Sequence, residues 1–572
     1  MAGLDFGEKQ LEFLKNKQYL IGEETIEERI EAIINVVRRY ENRYSEGLAD
    51  RIKEGIEKKI LCPSTPQWAN VGRPETGNST ALPCSCNIIT VGNSIPAIYY
   101  AISETAMLSK LGAGVGADFS AVVPKGTLLK EGFYSNSKYD WAEDLVRASQ
   151  KVSQGATRRG YSVVFEIITS PELDTLLERI DKKNSDKNDP FVDNNIGIFI
   201  PDGFIESVRA GDKEAQRRWL KVLKARQTNG KVYLVFEKNM NKHQSLVYAK
   251  LGHKVVATNI CTEVVTPRYD DKTFSCIIAS LNLVHWDYIK ANKQIIKDFY
   301  MFLDIMVEEY IRLTEGVPFM DKARRSAIEK RDIGLGTLGF HDYIQSKGYA
   351  FGDIGSRLAN KEIYSTIREV CNEVNEELAN LLGACPMAVE AGLNWRNVSQ
   401  MMVAPNKTTS FLAGDPIESP SGVGLGIEPI MSNYNIKALA GIQEVYKNPR
   451  LIKLLDAKGQ NIPEVWESIL NNLGSVQHLT FLTKDEKDVF KTFAEISPKD
   501  IIDLAADRQV YIDMAQSINL VNRPNYTLKD IYDMHMYAYD RGIKTLYYMY
   551  PQAHSSLEQA GDKWDTCASC AD

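Results

Sequence analysis

The sequence predicts an α/β fold organised on a parallel sheet. Short apolar strands, NIGIFI (195–200), KVYLVF (231–236), ICTEVV (260–265) and FSCIIASLNL (274–283), alternate with helical stretches such as EAQRRWLKVLKAR (214–226). Such alternation is how strand–helix–strand units are written. The chain has 572 residues, 44% hydrophobic and 25% charged, enough to bury a large core without disulfide staples. Its net charge of −7 lacks the basic footprint of a nucleic-acid binder. MAGLDFGEKQLEFLKNK has no apolar signal region and no run of 18 apolar residues follows, so no membrane span is expected and the cytoplasm is the expected location.

Residues 1–61 read as a helical region. Thr25 followed by Glu28 makes a capping box, and Ile26, Ile30, Ile33, Ile34 and Val37 recur at helical spacing. The loop-like CPSTPQWANVGRPETGNSTALPCSC (62–86) precedes a strand, NIITV, and a helix over 95–110. Gly112-Ala113-Gly114-Val115-Gly116 ends that helix and opens a strand, ADFSAVV, its alternate glycines admitting close backbone approach. The helix DWAEDLVRASQKVSQ leads to Arg158-Arg159 in a Gly-bounded loop, able to grip a phosphate or form a solvated turn. Residues 286–385 are mainly helical, and the polar tail after 550 is expected to be mobile.

The candidate chemistry centres on Asn259-Ile260-Cys261-Thr262-Glu263. In an extended segment or tight loop, side chains at i, i+2 and i+4 share a face, which sets a sulfur between an amide and a carboxylate. That suits work on a hydroxyl-bearing substrate, and a buried structural cysteine fits the same pentad. Cys86 and Cys276 lie at strand boundaries and form a second dithiol if both face Cys261. Cys567 and Cys570 make a terminal C-x-x-C suited to thiol exchange on a mobile tail. No histidine sits at metal-ligand spacing with a cysteine or carboxylate pair, so no protein-bound metal is expected. Tyr547-Tyr548 on a regular strand would face opposite sides, one in the core; a redox pair is the alternative. Pro405, Asn406, Lys407, Thr408, Thr409 and Ser410 precede a helix and, with Ser64 and Thr65, offer backbone N–H groups and hydroxyls to an anion.

Taken in order, STPQWANVGRP, SCNIITVGNS, SKLGAGVGADFS, SQGATRRG, NICTE, FSCIIASLNL, RDIGLGTLGFHDY, APNKTTS with GIEP, IDLAADRQVYIDMAQSINL, GIKTLYY and the terminal CASC resemble the large, catalytic (α) subunit of a class I ribonucleotide reductase. The resemblance implies a ten-stranded α/β barrel of two five-stranded parallel halves over residues 62–550. A finger loop threads its middle, and a redox-active tail follows at 551–572. It implies that Cys261 carries a transient thiyl radical, Glu263 is the base at the substrate's 3′ hydroxyl and Asn259 holds its hydroxyls. Cys86 and Cys276 would supply two electrons to the 2′ carbon. Cys567 and Cys570 would re-reduce them, and thioredoxin or glutaredoxin would reduce the tail in turn. Tyr547 and Tyr548 would relay the radical from a separate small (β) subunit, whose metal cofactor supplies it, this chain binding none itself. The 408–410 loop, Ser64 and Thr65 would hold the diphosphate, with Ala113 and Gly114 nearby.

The resemblance also implies a homodimer and nucleoside triphosphate effectors (ATP, dATP, dTTP, dGTP) bound near Asn93, Arg158 and Arg159. The tyrosine pair separates the chain from adenosylcobalamin-dependent relatives, which need no such relay. Three departures stand out. Only about 60 residues precede STPQ, so no N-terminal ATP-cone is expected. Asn93 replaces a frequent aspartate, and Lys407 adds a charge to the phosphate loop.

Overall fold

The computed structural model describes residues 6–73, 82–130, 132–152, 160–181, 188–414, 423–424, 426–439 and 442–551. Cys567, Cys570, Arg158 and Arg159 lie outside the described residues. The chain opens with three helices, α1 (Glu8–Asn16), α2 (Ile26–Tyr44) and α3 (Leu48–Glu57). The expected capping box starts α2: the Glu28 N–H donates to Thr25 Oγ1 and the Thr25 N–H to the Glu28 carboxylate, at 3.2 and 2.9 Å. Ile30, Ile33, Ile34 and Val37 are fully buried, as their spacing predicts.

Strand β1 (Leu61–Pro63) and the short helix α4 (Thr65–Asn70) come next. Then β2 (Cys86–Thr90), β3 (Gly114–Asp118), β4 (Ser162–Ile167), β5 (Ile196–Ile200) and β6 (Val232–Phe236) form a parallel run in that order. Helices link them and cover the outer face, while the chain around residues 257–265 fills the inner one. Ile88, Val163, Phe165, Tyr233 and Val235 point inward, while Ile89, Val164, Val232 and Leu234 pack outward on the helical layer. That period-2 split of near-continuous apolar strands is what a sheet covered on both faces requires.

The antiparallel pair β7 (Val255–Thr258) and β8 (Val265–Pro267) brackets the cysteine loop. Strand β9 (Phe274–Ser275) runs antiparallel to β2. The same chain continues as β10 (Ile278–Asn282), which pairs with β1 on one side and with β11 (Gly334–Leu338) on the other. Parallel bridges Leu335–Met401 and Val403–Gln516 extend this second half to five segments. The hairpin β12 (Tyr434–Leu439) and β13 (Ile442–Lys447) lies apart; β14 (Leu520–Asn522) pairs with the later β16 (Met549–Pro551). Between these, β15 (Thr545–Leu546) closes against β6. The two halves therefore meet at two antiparallel seams, β2–β9 and β6–β15. The second half departs from a uniformly parallel expectation in one member, since β1 runs antiparallel to β10.

The strand expected over ADFSAVV starts three residues earlier and ends five earlier, on the glycines themselves. A Cβ at Gly116 would stand 2.8 Å from the Thr258 carbonyl and 3.1 Å from Asn259 Cα, so the cysteine loop crosses β3 where only glycine leaves room. The strand stops at Asp118, whose carboxylate accepts the Ser120 N–H and pairs with Arg268. No helix among the described residues is long and apolar enough to cross a membrane.

Candidate active site

Residues 259–263 form a turn, not the strand read from ICTEVV. The Thr262 N–H donates to the Asn259 carbonyl at 3.2 Å, and Thr262 takes φ +64°, a left-handed conformation unusual for a β-branched residue. Ile260 and Val264 sink into the barrel interior and anchor the turn. Burial of each stabilises it by roughly 1.5–3 kcal/mol. The later strands hold its rim: the Ala515 N–H donates to the Glu263 carbonyl at 2.8 Å, and Thr545 Oγ1 to the Thr262 carbonyl at 2.8 Å.

Cys261 and Glu263 line a cleft that also takes in Ser64, Thr65, Ser85, Cys86 and residues 404–409. The Cys86 sulfur, the Cys261 sulfur and a Glu263 carboxylate oxygen all lie within 4.8 Å of one another. Burial pushes the Glu263 carboxyl up to about 7 despite hydrogen bonds that favour its charged form. One of those partners is Ser517, whose Oγ stands 3.2 Å from the carboxylate and 2.6 Å from the Cys261 carbonyl. Asn259 does not line the cleft. Its Oδ1 braces the turn by accepting the Val264 N–H at 3.1 Å. Among the described residues its buried Nδ2 has no partner at hydrogen-bond distance, though it lies near enough to favour the Glu263 carboxylate.

Cys86 and Cys276 face each other across the β2–β9 seam, where the Cys276 N–H donates to the Cys86 carbonyl at 2.8 Å. Opposed residues of an antiparallel pair have Cα atoms about 4.5–5.5 Å apart, within the range of about 4.4–6.8 Å that a disulfide spans. Burial first, then the nearby Glu263 and Cys86, drive the Cys276 thiol well above its ordinary value and keep it protonated. This juxtaposition was left open by the sequence.

The opposite wall of the cleft is built from two helix starts. At α4, the Ser64 N–H donates to Gln67 Oε1 at 2.8 Å, and the Ser64 hydroxyl is buried without a partner among the described residues. The helix Lys407–Leu412 starts from Asn406, which takes φ +55°. Asn406 is held by Nδ2 donating to the Thr337 carbonyl at 3.0 Å and by Oδ1 accepting from Ser280 Oγ at 3.1 Å. Ser410, by contrast, turns back to donate to the Lys407 carbonyl and stays out of the cleft. Ala113 and Gly114 do not line it either; the Gly114 N–H is bonded to the Ser85 carbonyl at 2.9 Å. Asn93 is exposed and accepts the Val123 N–H at 3.1 Å, bracing the loop after β3.

The tyrosine pair overturns the alternation expected of a regular strand. Tyr547 and Tyr548 fall in the break between β15 and β16, both are buried, and their ring centroids are 4.2 Å apart. Tyr233 from β6 packs on both, at 4.6 and 5.3 Å. Asn195 Nδ2 donates to the Tyr548 hydroxyl at 2.8 Å and also to that of Tyr233. The buried Arg226 guanidinium fixes the break by donating to the Tyr547 and Tyr548 carbonyls at 2.6 and 3.3 Å. Its Nε donates to His535 Nε2 at 3.0 Å. Ser517, Thr545, Asn195, Tyr233 and Arg226 were missed as site residues. Ser517 and Thr545 lie inside motifs already singled out; the other three read only as strand or helix residues.

A model of the ribonucleotide reductase barrel domain matches residues 84–217, 212–388 and 387–549. The chain belongs to the ribonucleotide reductase family. The ribonucleoside-diphosphate reductase large subunit of Invertebrate iridescent virus 3 is 28% identical over 88% of each chain. The large subunit of Caenorhabditis elegans is 25% identical over 86% of this chain and 69% of its own. Among solved structures, the Actinobacillus ureae class Id ribonucleotide reductase alpha subunit superposes with a TM-score of 0.86. It shares 33% identity, over 96% of this chain and 97% of that one. The family model thus spans β2 to β15, cysteine loop and both seams included.

Proposed function

We propose that the chain is the catalytic subunit of a ribonucleoside-diphosphate reductase, making 2′-deoxyribonucleoside diphosphates by thiyl-radical chemistry. The observation that carries this is the cluster of two sulfurs and a carboxylate at one end of a cleft with two hydroxyl-bearing helix starts at the other. That layout fits a nucleotide with its ribose at the cysteines and its diphosphate at Ser64, Thr65 and 405–409. Within this reading residues 1–61 are the helical region, 62–550 the barrel and 551–572 the tail.

The metal cofactor of a separate small subunit would supply the oxidising equivalent, and Tyr548 and Tyr547 are the residues that would hand it inward to Cys261. The Cys261 thiyl takes the 3′ hydrogen, and Glu263, poised near neutrality, accepts the 3′ hydroxyl proton. Asn259, beside Glu263 though outside the cleft's lining, is the amide assigned to hold the substrate's hydroxyls. The 2′ hydroxyl leaves as water with a proton from a thiol. Cys86 and Cys276 give two electrons and end as a disulfide, the second thiol's hydrogen going to the 2′ carbon; Glu263 returns its proton to the 3′ oxygen and Cys261 its hydrogen to the 3′ carbon. Cys567 and Cys570 would then reduce that disulfide by exchange and be reduced by a thioredoxin- or glutaredoxin-like protein.

Exposed Leu128, Phe133 and Tyr134, beside the Asn93 loop, support a homodimer with triphosphate effectors at its interface. The deciding experiment is CDP reduction with and without a candidate small subunit, across ATP, dATP, dTTP and dGTP. Turnover should require the small subunit and vanish in Cys261→Ser. Turnover by the isolated chain with adenosylcobalamin would refute the proposal.

A further inference from the structure

The helix Lys407–Leu412 presents its first turn to the cleft, yet its other end is held by residues 355 to 404 positions away. A helix leaves its last carbonyls without partners. Here the last two meet one side chain, together with a carbonyl just beyond the helix: Gln10 Nε2, from α1, lies 2.9 Å from the Phe411 carbonyl, 3.4 Å from that of Leu412 and 3.0 Å from that of Gly414. Gln10 Oε1 accepts from Lys59 Nζ at 3.0 Å and from the Gly7 N–H at 3.1 Å, so the amide cannot swing away. Lys59 Nζ also donates to the Gly414 carbonyl at 2.6 Å, placing a cation where the helix dipole favours one. Asn282 Nδ2 takes the remaining Ala413 carbonyl at 3.2 Å. Gln10 is 1% exposed and Lys59 5%, and Phe13 of α1 packs edge-on against Phe411 at 5.4 Å.

This helix is under two turns, about 9 Å long, and moves as one body. Its C-terminal anchor therefore sets where Lys407, Thr408 and Thr409 stand. We propose that Gln10 and Lys59 are positioning residues for substrate. Through them helix α1 holds the phosphate loop in its binding pose, and anything that displaces α1 loosens the grip on the diphosphate. The inference rests on reading 405–409 as the diphosphate cradle. The clamp's hydrogen bonds described above run to the phosphate loop and not to Cys86, Cys261, Cys276 or the tyrosine pair, so its effect belongs to binding and not to radical chemistry.

Gln10→Glu tests it, because the carboxylate keeps the shape and both accepted hydrogen bonds but has no donor for the three carbonyls. In the full chain with its small subunit, KM for CDP should rise about five- to tenfold, as expected for donors lost from buried carbonyls, with kcat within twofold. Hydrogen exchange should quicken at 407–414 and stay unchanged in β3 and β4. Lys59→Met, which keeps the aliphatic stem, should act in the same direction and serves if Gln10→Glu folds poorly. Thr408→Ala separates the two ways of failing. If it raises KM while both clamp variants leave KM and exchange at wild-type values, the clamp is only structural and the inference is overturned. If Thr408→Ala also leaves KM unchanged, the cradle reading falls and takes the clamp with it.

Discussion

Replacing Gly116 with alanine would push one methyl carbon into the backbone of the cysteine loop. The added Cβ would lie 2.8 Å from the Thr258 carbonyl oxygen, 3.1 Å from Asn259 Cα and 3.2 Å from Asn259 C, whereas ordinary contact begins at 3.4 Å. The three close atoms are all backbone, so no side chain can swing aside. Strand β3 is bonded between β2 and β4 and cannot retreat. The loop must then rise by about 0.6 Å, the difference between 3.4 and 2.8. The bond from the Thr262 N–H to the Asn259 carbonyl carries that displacement across Cys261. Overpacking of this kind costs about 1–3 kcal/mol of stability. Misplacing a reacting atom by ~1 Å costs about 10²-fold in rate, so kcat should fall roughly ten- to hundredfold. The assay is CDP reduction driven by a small dithiol, with thermal unfolding and CDP binding measured on the same protein. CDP binding should be nearly unchanged. A variant that lost stability but kept kcat within twofold would show that the loop tolerates the shift, and the reasoning from close approach would be wrong.

Two further outcomes follow from the site. With Glu263 raised to about 7, kcat/KM should climb through an ascending limb centred there, as the carboxylate needed to take the 3′ proton forms. Between pH 4.5 and about 7 the folded state holds a proton that the unfolded chain has released, so stability from this group falls as pH rises, by about 3 kcal/mol in all. Glu263→Gln should therefore be inactive and gain stability over wild type at pH 8 relative to pH 5 in urea melts; equal differences at both pH values would contradict the buried-acid assignment. Tyr548→Phe removes the hydroxyl that Asn195 holds and should abolish turnover while CDP affinity stays within twofold. Normal turnover by that variant would remove Tyr548 from the relay.

Much of the architecture was legible because it follows local rules. Apolar strands separated by helices announce a parallel sheet, and Thr25 with Glu28 announces a helix start, since both depend on neighbours within a few residues. The strand at Gly114–Asp118 was displaced from the expectation because its glycines answer to a loop about 140 residues later, a packing constraint with no local signature. The same limit applied to ICTEVV, whose β-branched residues have strand propensity that anchoring of the turn overrides.

The sequence by itself determined the inventory: which thiols, carboxylate, phenols and hydroxyls exist, and, through the order of its motifs, the family they belong to. Only the tertiary structure decided which of them meet. Cys86 faces Cys276 because two half-barrels close at an antiparallel seam, and the tyrosine rings pack side by side because the chain breaks between β15 and β16 over a buried arginine. Glu263 becomes a base near neutrality because the barrel interior removes its water. Burial, seam geometry and long-range hydrogen bonds are properties of pairs of segments far apart in the chain, and no window of sequence contains them.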